Sequence, residues 1–238
     1  MIEQARGWLG AARRVAVLTG AGMSAESGVP TFRDAQTGLW AQFDPQQLAT
    51  EEAFRANPTM VWDWYAMRRE MVAKVEPNAG HRVLATFAKR HPQRLTLITQ
   101  NVDGLHQRAG SVGVLALHGN ISEDKWLDEP KACCNASQPA AARPPYCKVC
   151  GNLRRPAVVW FGEMLPLETL AAAEAAAQEC DLMLVVGTSG VVYPAAGLAR
   201  MAAGKVVIVN PEPTELDDAA DAVLRGKAAQ LLPQLLED

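Results

Sequence analysis

Six short apolar runs, at 15–18, 95–98, 114–117, 157–160, 182–186 and 206–209, constrain the fold more than any other feature of this chain. They are rich in Val, Leu and Ile and lack polar alternation, so they read as parallel strands covered on both faces. Helical patterns separate several of them, at 79–91, 166–178 and 194–203. That alternation predicts an α/β fold with a doubly wound, Rossmann-like parallel sheet. Ligands of such sheets bind at the carboxyl ends of the strands. Three runs end in small or hydrogen-bonding residues: Gly20-Ala21-Gly22, then Thr99-Gln100-Asn101-Val102-Asp103-Gly104-Leu105-His106, then Gly187-Thr188-Ser189. Polar groups gathered behind buried strands need partners if covered, and a nucleotide site is the reading they favour.

Two stretches interrupt the alternation. Residues 35–77 offer two helical pieces, 51–56 and 58–74, and no strand, while residues 119–155 are rich in Pro, Ala and Cys. They are expected to form a small helical, zinc-type second lobe, leaving 1–34, 78–118 and 156–238 as one dinucleotide-binding domain with the substrate cleft between. Segment 2–14 is amphipathic and reads as a packing helix rather than a presequence, because Glu3 is acidic and no cleavage pattern follows. A net charge of −3 gives no hint of a nucleic-acid or anionic-membrane partner. No apolar run approaches the roughly 20 residues that cross a bilayer, so a cytoplasmic location is expected. Cys133, Cys134, Cys147 and Cys150 cluster, which without an export signal points to metal before disulfides. Cys180 reads as a small core residue.

Glycines after a strand let backbone approach a pyrophosphate, with a helix N-terminus beyond adding donors. Taken alone, Gly20-Ala21-Gly22 serves a plain tight turn equally well. A nicotinamide dehydrogenase needs a second strand soon after, ending in an acid for the ribose. Here the chain runs Ser27-Gly28-Val29-Pro30-Thr31-Phe32-Arg33-Asp34 with no such strand, which disfavours that class. Arg33 reads either as a charge partner for phosphates or as a solvated surface side chain.

Longer motifs follow one another in a fixed order. The stretch from Gly20 through Phe32 and Arg33, the stretch Thr99 to Gly110, Leu117-His118-Gly119, and then Gly187-Thr188-Ser189 and Asn210 closely resemble the bacterial sirtuins, NAD-dependent protein deacylases. The resemblance implies that an acyl-lysine carbonyl oxygen displaces nicotinamide from NAD, giving free lysine and O-acyl-ADP-ribose. It makes His118 the general base, and a neutral imidazole with a reference pKa near 6.5 suits proton removal. It places Gln100, Asn101 and Asp103 at the nicotinamide and ribose, Asn101 within the catalytic group. An amide and a carboxylate can hold a carboxamide from both sides. Gly20, Ala21, Gly22, Ser24, Arg33, Gly187, Thr188 and Ser189 are implied to hold NAD, with Asn210 and Glu212 at the adenosine ribose and Ala228 under the adenine. Phe32 is implied to cover the reactive ribose carbon.

Tyr65 and Arg68 are three apart on one helix and resemble the Tyr-x-x-Arg signature of class III sirtuins, which remove succinyl and malonyl groups. A planar guanidinium suits a terminal carboxylate. An amphipathic helix with Tyr65 packed inside and Arg69 solvated would use the same spacing. Ala35 is a candidate for widening the acyl channel. Val159, Phe161, Gly162 and Glu163 lie in a segment resembling the strand against which substrate peptide pairs; a core strand and turn is the plainer reading. Cys147 and Cys150 resemble half of the family's zinc ribbon. The first pair departs from it: 121–131 holds no cysteine, and adjacent Cys133 and Cys134 make strained co-ligands. Either zinc or packing alone holds the lobe. Two rival functions use the same pocket, protein ADP-ribosyl transfer and non-catalytic NAD-binding regulation. Intact His118, Asn101 and Asp103 speak against the second.

Overall fold

The computed structural model describes residues 1–30, 48–136 and 138–237. The elements begin with α1 (Ile2–Ala11), β1 (Val15–Thr19), α2 (Gly22–Ala25), α3 (Glu51–Ala56), α4 (Pro58–Lys74) and α5 (Ala79–Arg90). Next come β2 (Leu95–Thr99), α6 (Leu105–Arg108), β3 (Leu115–Ala116), β4 (Gly119–Trp126), α7 (Ala132–Ala136) and β5 (Arg154–Val158). The chain continues through α8 (Leu167–Glu179), β6 (Leu182–Val186), α9 (Gly197–Arg200), β7 (Lys205–Val209), β8 (Ala222–Leu224) and α10 (Ala228–Leu236).

Strands β1 and β6 are buried at every residue because they occupy the middle of a six-stranded parallel sheet of order β3-β2-β1-β6-β7-β8. Alternate residues face opposite layers. Val15, Val17, Leu184 and Val207 meet Leu9 of α1, Leu84 and Phe87 of α5, and Leu232 of α10. Ala16, Leu18, Met183 and Ile208 meet Ala173 and Ala177 of α8 and Leu198 of α9. Both faces are covered, which is why the strands read as continuous apolar runs.

The chain builds outward from β1 through β2 to β3, then crosses to β6 and builds outward again. The reversal lies between β1 and β6, and their register is level: Thr19 pairs with Thr99 on one side and Val186 on the other. Loops after β1, β2 and β6 therefore leave side by side, at the place where such sheets bind ligands.

A separate pair, β4 and β5, is antiparallel and packs under α4 through Val61, Trp64, Tyr65, Ile121, Val158 and Trp160. The run 157–160, expected as a parallel strand, thus belongs partly to this small sheet. Apolar content reports coverage, and strand direction depends on the partner. The helix expected over 194–203 narrows to Gly197–Arg200, since Pro194 lacks an N–H and Gly197 is a poor helix former.

Candidate functional site

At the reversal, the loops after β1 and β6 press backbone on backbone. Gly22 N–H donates to the Gly187 carbonyl at 2.8 Å. A Cβ on Gly20 would lie 2.7 Å from Thr188 Cβ, and one on Gly22 2.8 Å from Gly187 Cα. Gly187 has φ +63, the left-handed region, and Met23 N crowds its Cβ position. Side chains are excluded here, so both backbones sit at the mouth of the switch point. Among the described residues, the N–H groups of Ala21, Thr188 and Ser189 donate to no protein acceptor. Free N–H donors at a switch point fit a phosphate-bearing ligand. Phe32, Arg33 and Ala35 lie outside the described residues.

The loop after β2 supplies the polar wall. Asn101 Nδ2 donates to the Gly20 carbonyl at 2.9 Å and to Ser24 Oγ at 3.2 Å, while Gln100 Nε2 donates to Thr188 Oγ1 at 3.2 Å. Ser24 Oγ in turn donates to Asp103 Oδ2 at 2.7 Å, and Leu105 N–H donates to Asp103 Oδ1 at 2.9 Å. Burial raises the Asp103 pKa against these donors.

Two histidines lie beneath. Asn78 caps α5, and its N–H reaches His81 Nδ1 at 3.3 Å, so His81 carries its proton on Nε2, 3.4 Å from Ser24 Oγ. Thr19 Oγ1 donates to Thr99 Oγ1 at 2.8 Å, leaving it to accept from His106 Nε2 at 3.0 Å. The His106 Nδ1 is then a bare lone pair with no partner among the described residues. Burial holds His81 down to about 4 and His106 to about 3, so both are neutral. The two rings lie 4.7 Å apart, and protonating either would place a cation in the core. The sequence placed His106 in the polar stretch after β2 without giving it a role of its own, and His81 was passed over; the Asn78-x-x-His81 capping spacing was the available signal for it.

His118 follows β3. Its Nδ1 lies 2.8 Å from the Gln100 carbonyl, which can only accept, so the proton sits on Nδ1 and Nε2 is free to take one. Burial lowers its pKa, opposed by that hydrogen bond. The position is held by Val159 N–H donating to the His118 carbonyl at 2.9 Å, and by Gly119 at φ +80 against β5.

Val159 therefore serves this histidine through its N–H. Phe161 is 42% exposed, its N–H donating to the Ala49 carbonyl at 2.9 Å, and Gly162 has φ +85. Glu163 is turned away: its carboxylate pairs with the buried Arg155 and accepts from Trp160 N–H at 2.9 Å.

Tyr65 and Arg68 share a face of α4. The Tyr65 hydroxyl accepts from Trp160 Nε1 at 3.0 Å. The Arg68 guanidinium lies 4.7 Å from the Trp64 ring centroid and 5.8 Å from that of Tyr65. Among the described residues it has no carboxylate or carbonyl partner, and burial lowers its pKa. Arg69, which the plainer amphipathic-helix reading left in solvent, bonds Asp124 at 2.6 Å and the Ile121 carbonyl, tying α4 to β4.

At the far end of the switch point, Asn210 is buried after β7 and donates from Nδ2 to the Glu212 carbonyl at 2.7 Å. The Ser189 carbonyl accepts from Glu215 N–H at 3.1 Å. Ala228 is buried at the first turn of α10, whose N-terminus Glu26 caps at Ala229 N–H, 2.7 Å.

The cysteines converge. The ligand atoms of Cys133, Cys134, Cys147 and Cys150 all lie within 4.8 Å of one another, Cys134 Sγ 3.6 Å from Cys150 Sγ. Tetrahedral zinc with bonds near 2.3 Å spaces sulfurs about 3.8 Å apart. The donor set fits a structural zinc. Adjacent Cys133 and Cys134, expected to be strained co-ligands, both bring their sulfurs into this cluster from the short helix α7. N–H donors of Cys150 and Val149 draw the Cys147 thiol down to about 7.

The Sir2 family profile matches residues 20–194. An NAD-dependent protein deacylase of Ralstonia nicotianae is 57% identical over 238 residues, covering 98% of this chain and 95% of the relative. One from Aquifex aeolicus is 47% identical over 226 residues, covering 94% of each. A Sir2 homologue solved as its NAD complex is 41% identical, covers 98% of this chain and 92% of its own, and superposes with a TM-score of 0.87. A Sir2 structure bound to acetylated peptide is 30% identical with a TM-score of 0.84, covering 100% of this chain and 98% of its own. A profile spanning most of the chain and relatives matched nearly end to end carry one conclusion: the chain belongs to the Sir2 family.

Proposed function

We propose that this Sir2-family enzyme, an NAD-dependent protein deacylase, prefers succinyl- and malonyl-lysine over acetyl-lysine and yields nicotinamide and O-acyl-ADP-ribose. One observation carries the preference: Arg68 is a half-buried cation, stacked on Trp64 and Tyr65, with no anion beside it among the described residues. Withdrawing an unpaired charge is costly, and a substrate carboxylate would complete it with two parallel hydrogen bonds. Beside it, the Tyr65 hydroxyl accepts from Trp160 and keeps its own proton for the same carboxylate.

Bound NAD supplies an electrophilic ribose carbon with nicotinamide as leaving group. Gln100, Asn101 and Asp103 face that end, and the Ser24–Asp103 hydrogen bond orients the carboxylate. Gly20, Ala21, Gly22, Gly187, Thr188 and Ser189 bind phosphates, with Asn210, Glu212 and Ala228 at the adenosine and Phe32 and Arg33 at the ribose and phosphates. His118 takes a proton from a hydroxyl at Nε2 while Gln100 holds Nδ1–H. The backbone at Val159, Phe161 and Gly162 pairs with the acyl-lysine peptide, and Glu163 steadies that segment from behind. In this reading 1–34, 78–118 and 156–238 bind the dinucleotide, 35–77 and 119–155 form the substrate lobe, and the protein works in the cytoplasm.

The test is NAD-dependent nicotinamide release from one peptide carrying succinyl-, malonyl- or acetyl-lysine. Higher kcat/KM for the two acidic groups is expected. A higher value for acetyl would overturn the preference. NAD consumption independent of any acyl peptide would favour ADP-ribosyl transfer.

A further inference from the structure

Trp160 is the largest fully buried side chain among the described residues, 2% exposed. Its backbone leads directly into the exposed Phe161-Gly162 edge. Its N–H is fixed by Glu163 at 2.9 Å, and Glu163 is fixed by Arg155. The Arg155 guanidinium lies 3.2 Å from the centroid of the indole, and Phe54 packs with ring centroids 5.3 Å apart. Held this way, the indole directs Nε1–H at the Tyr65 hydroxyl, 3.0 Å away.

A phenol has one proton and accepts on its oxygen. With an N–H already aimed at that oxygen, the O–H must point elsewhere. No described residue receives it, and the Arg68 guanidinium lies beside the same ring. Accepting a hydrogen bond also makes a hydroxyl a stronger donor. A cation stacked on the indole sharpens the N–H that does this.

We propose that Trp160 is a specificity-determining positioning residue for acidic acyl groups, its indole N–H occupying the Tyr65 oxygen so that the phenol proton is presented to the substrate carboxylate. The proposal rests on the reading that Tyr65 and Arg68 receive that carboxylate. It links the acyl pocket to the peptide edge through one side chain.

Steady-state kinetics on matched succinyl- and acetyl-lysine peptides test it, with the full chain and NAD. Trp160→Phe keeps a ring between Arg155 and Phe54 and removes the donor. KM for the succinyl peptide should rise about fivefold to tenfold, with kcat within twofold and the acetyl KM within about twofold. In a Tyr65→Phe background the same change should add less than about twofold, because the pair acts as a unit. Equal KM increases for both peptides, or effects that multiply fully with Tyr65→Phe, overturn the proposal. Should Trp160→Phe not fold, the benzothienyl isostere of tryptophan at 160 keeps the shape and is judged by the same ratios. If the unaltered enzyme does not prefer succinyl, the acyl-group reading fails and takes this proposal with it. If that preference stands while the succinyl KM ignores the loss of the donor, only the assignment of Trp160 fails.

Discussion

His118 and Arg68 are both half-buried and are set up for opposite tasks, His118 by one hydrogen bond at Nδ1 and Arg68 by stacking on the rings of Trp64 and Tyr65. For His118, burial lowers the pKa from 6.5, so the neutral base dominates above that value. Its protonation as pH falls removes the acceptor at Nε2. We therefore expect kcat/KM to stay flat from pH 8 to 6.5 and to fall only below, toward tenfold per unit. An acid limb centred above pH 6.5 would contradict the assignment. For Arg68, exchange to Met keeps length and loses the charge. Desuccinylation should drop about tenfold to a hundredfold, the worth of a charge-assisted hydrogen bond, with deacetylation within about threefold. Parallel losses in both assays would make Arg68 merely structural. His118 was legible as a candidate because it sits in the motif Leu117-His118-Gly119. The Arg155–Trp160–Tyr65 chain was not, because 95 residues separate the last two and nothing local marks a hydrogen bond across that span.

At the scale of elements, the glycine after His118 decides whether β4 and β5 can pair. Gly119 pairs with Val158 at φ +80, and a Cβ there would collide with the Ala157 carbonyl oxygen. Gly119→Ala should destabilise the protein by about 3 kcal/mol and lower activity more than stability alone accounts for, since His118 is adjacent. A denaturation midpoint unchanged from the parent would show that the strand pair has room to shift. The long amphipathic or apolar elements were readable ahead of the structure: α1, α4, α5, α8, β1, β2, β6 and β7 lie where periodicity put them. Of the others, α3 also lies where it was read, at 51–56, whereas β8 and α10 were not foreseen. A three-residue β8 carries no period, and Pro233 inside α10 masks a helix whose apolar face is buried by the sheet. The small sheet was misjudged because antiparallel pairing depends on a partner reached through a long connection.

Across the whole molecule, the paired histidines under the site couple stability to pH. Folded pKa values of about 4 for His81 and about 3 for His106 lie below the unfolded value of 6.5. The unfolded chain then binds more protons as pH falls, so stability is full above 6.5 and is lost below it, by about 1.4 kcal/mol per pH unit for each histidine. Asp103, whose pKa burial raises, works the other way and trims this slope. Urea midpoints measured from pH 7.5 to 4.5 should decline from about 6.5 downward. A flat series over that window would mean that the rings find other protonated arrangements. Each neutral ring offers one donor and one acceptor, and the donors are aimed at Thr19 and Ser24.

By itself the amino-acid sequence determined the parallel sheet, the order of its principal helices, and the motifs that end its strands. These are local matters, set by side-chain period and by glycines that no other residue can replace. Only the tertiary structure decided which nitrogen of His118 is bare, that Arg68 has no anion beside it among the described residues, that Glu163 faces inward, and that two adjacent cysteines join two distant ones. Each depends on what a remote segment places beside the group, and burial and hydrogen-bond partners arise only when those segments meet.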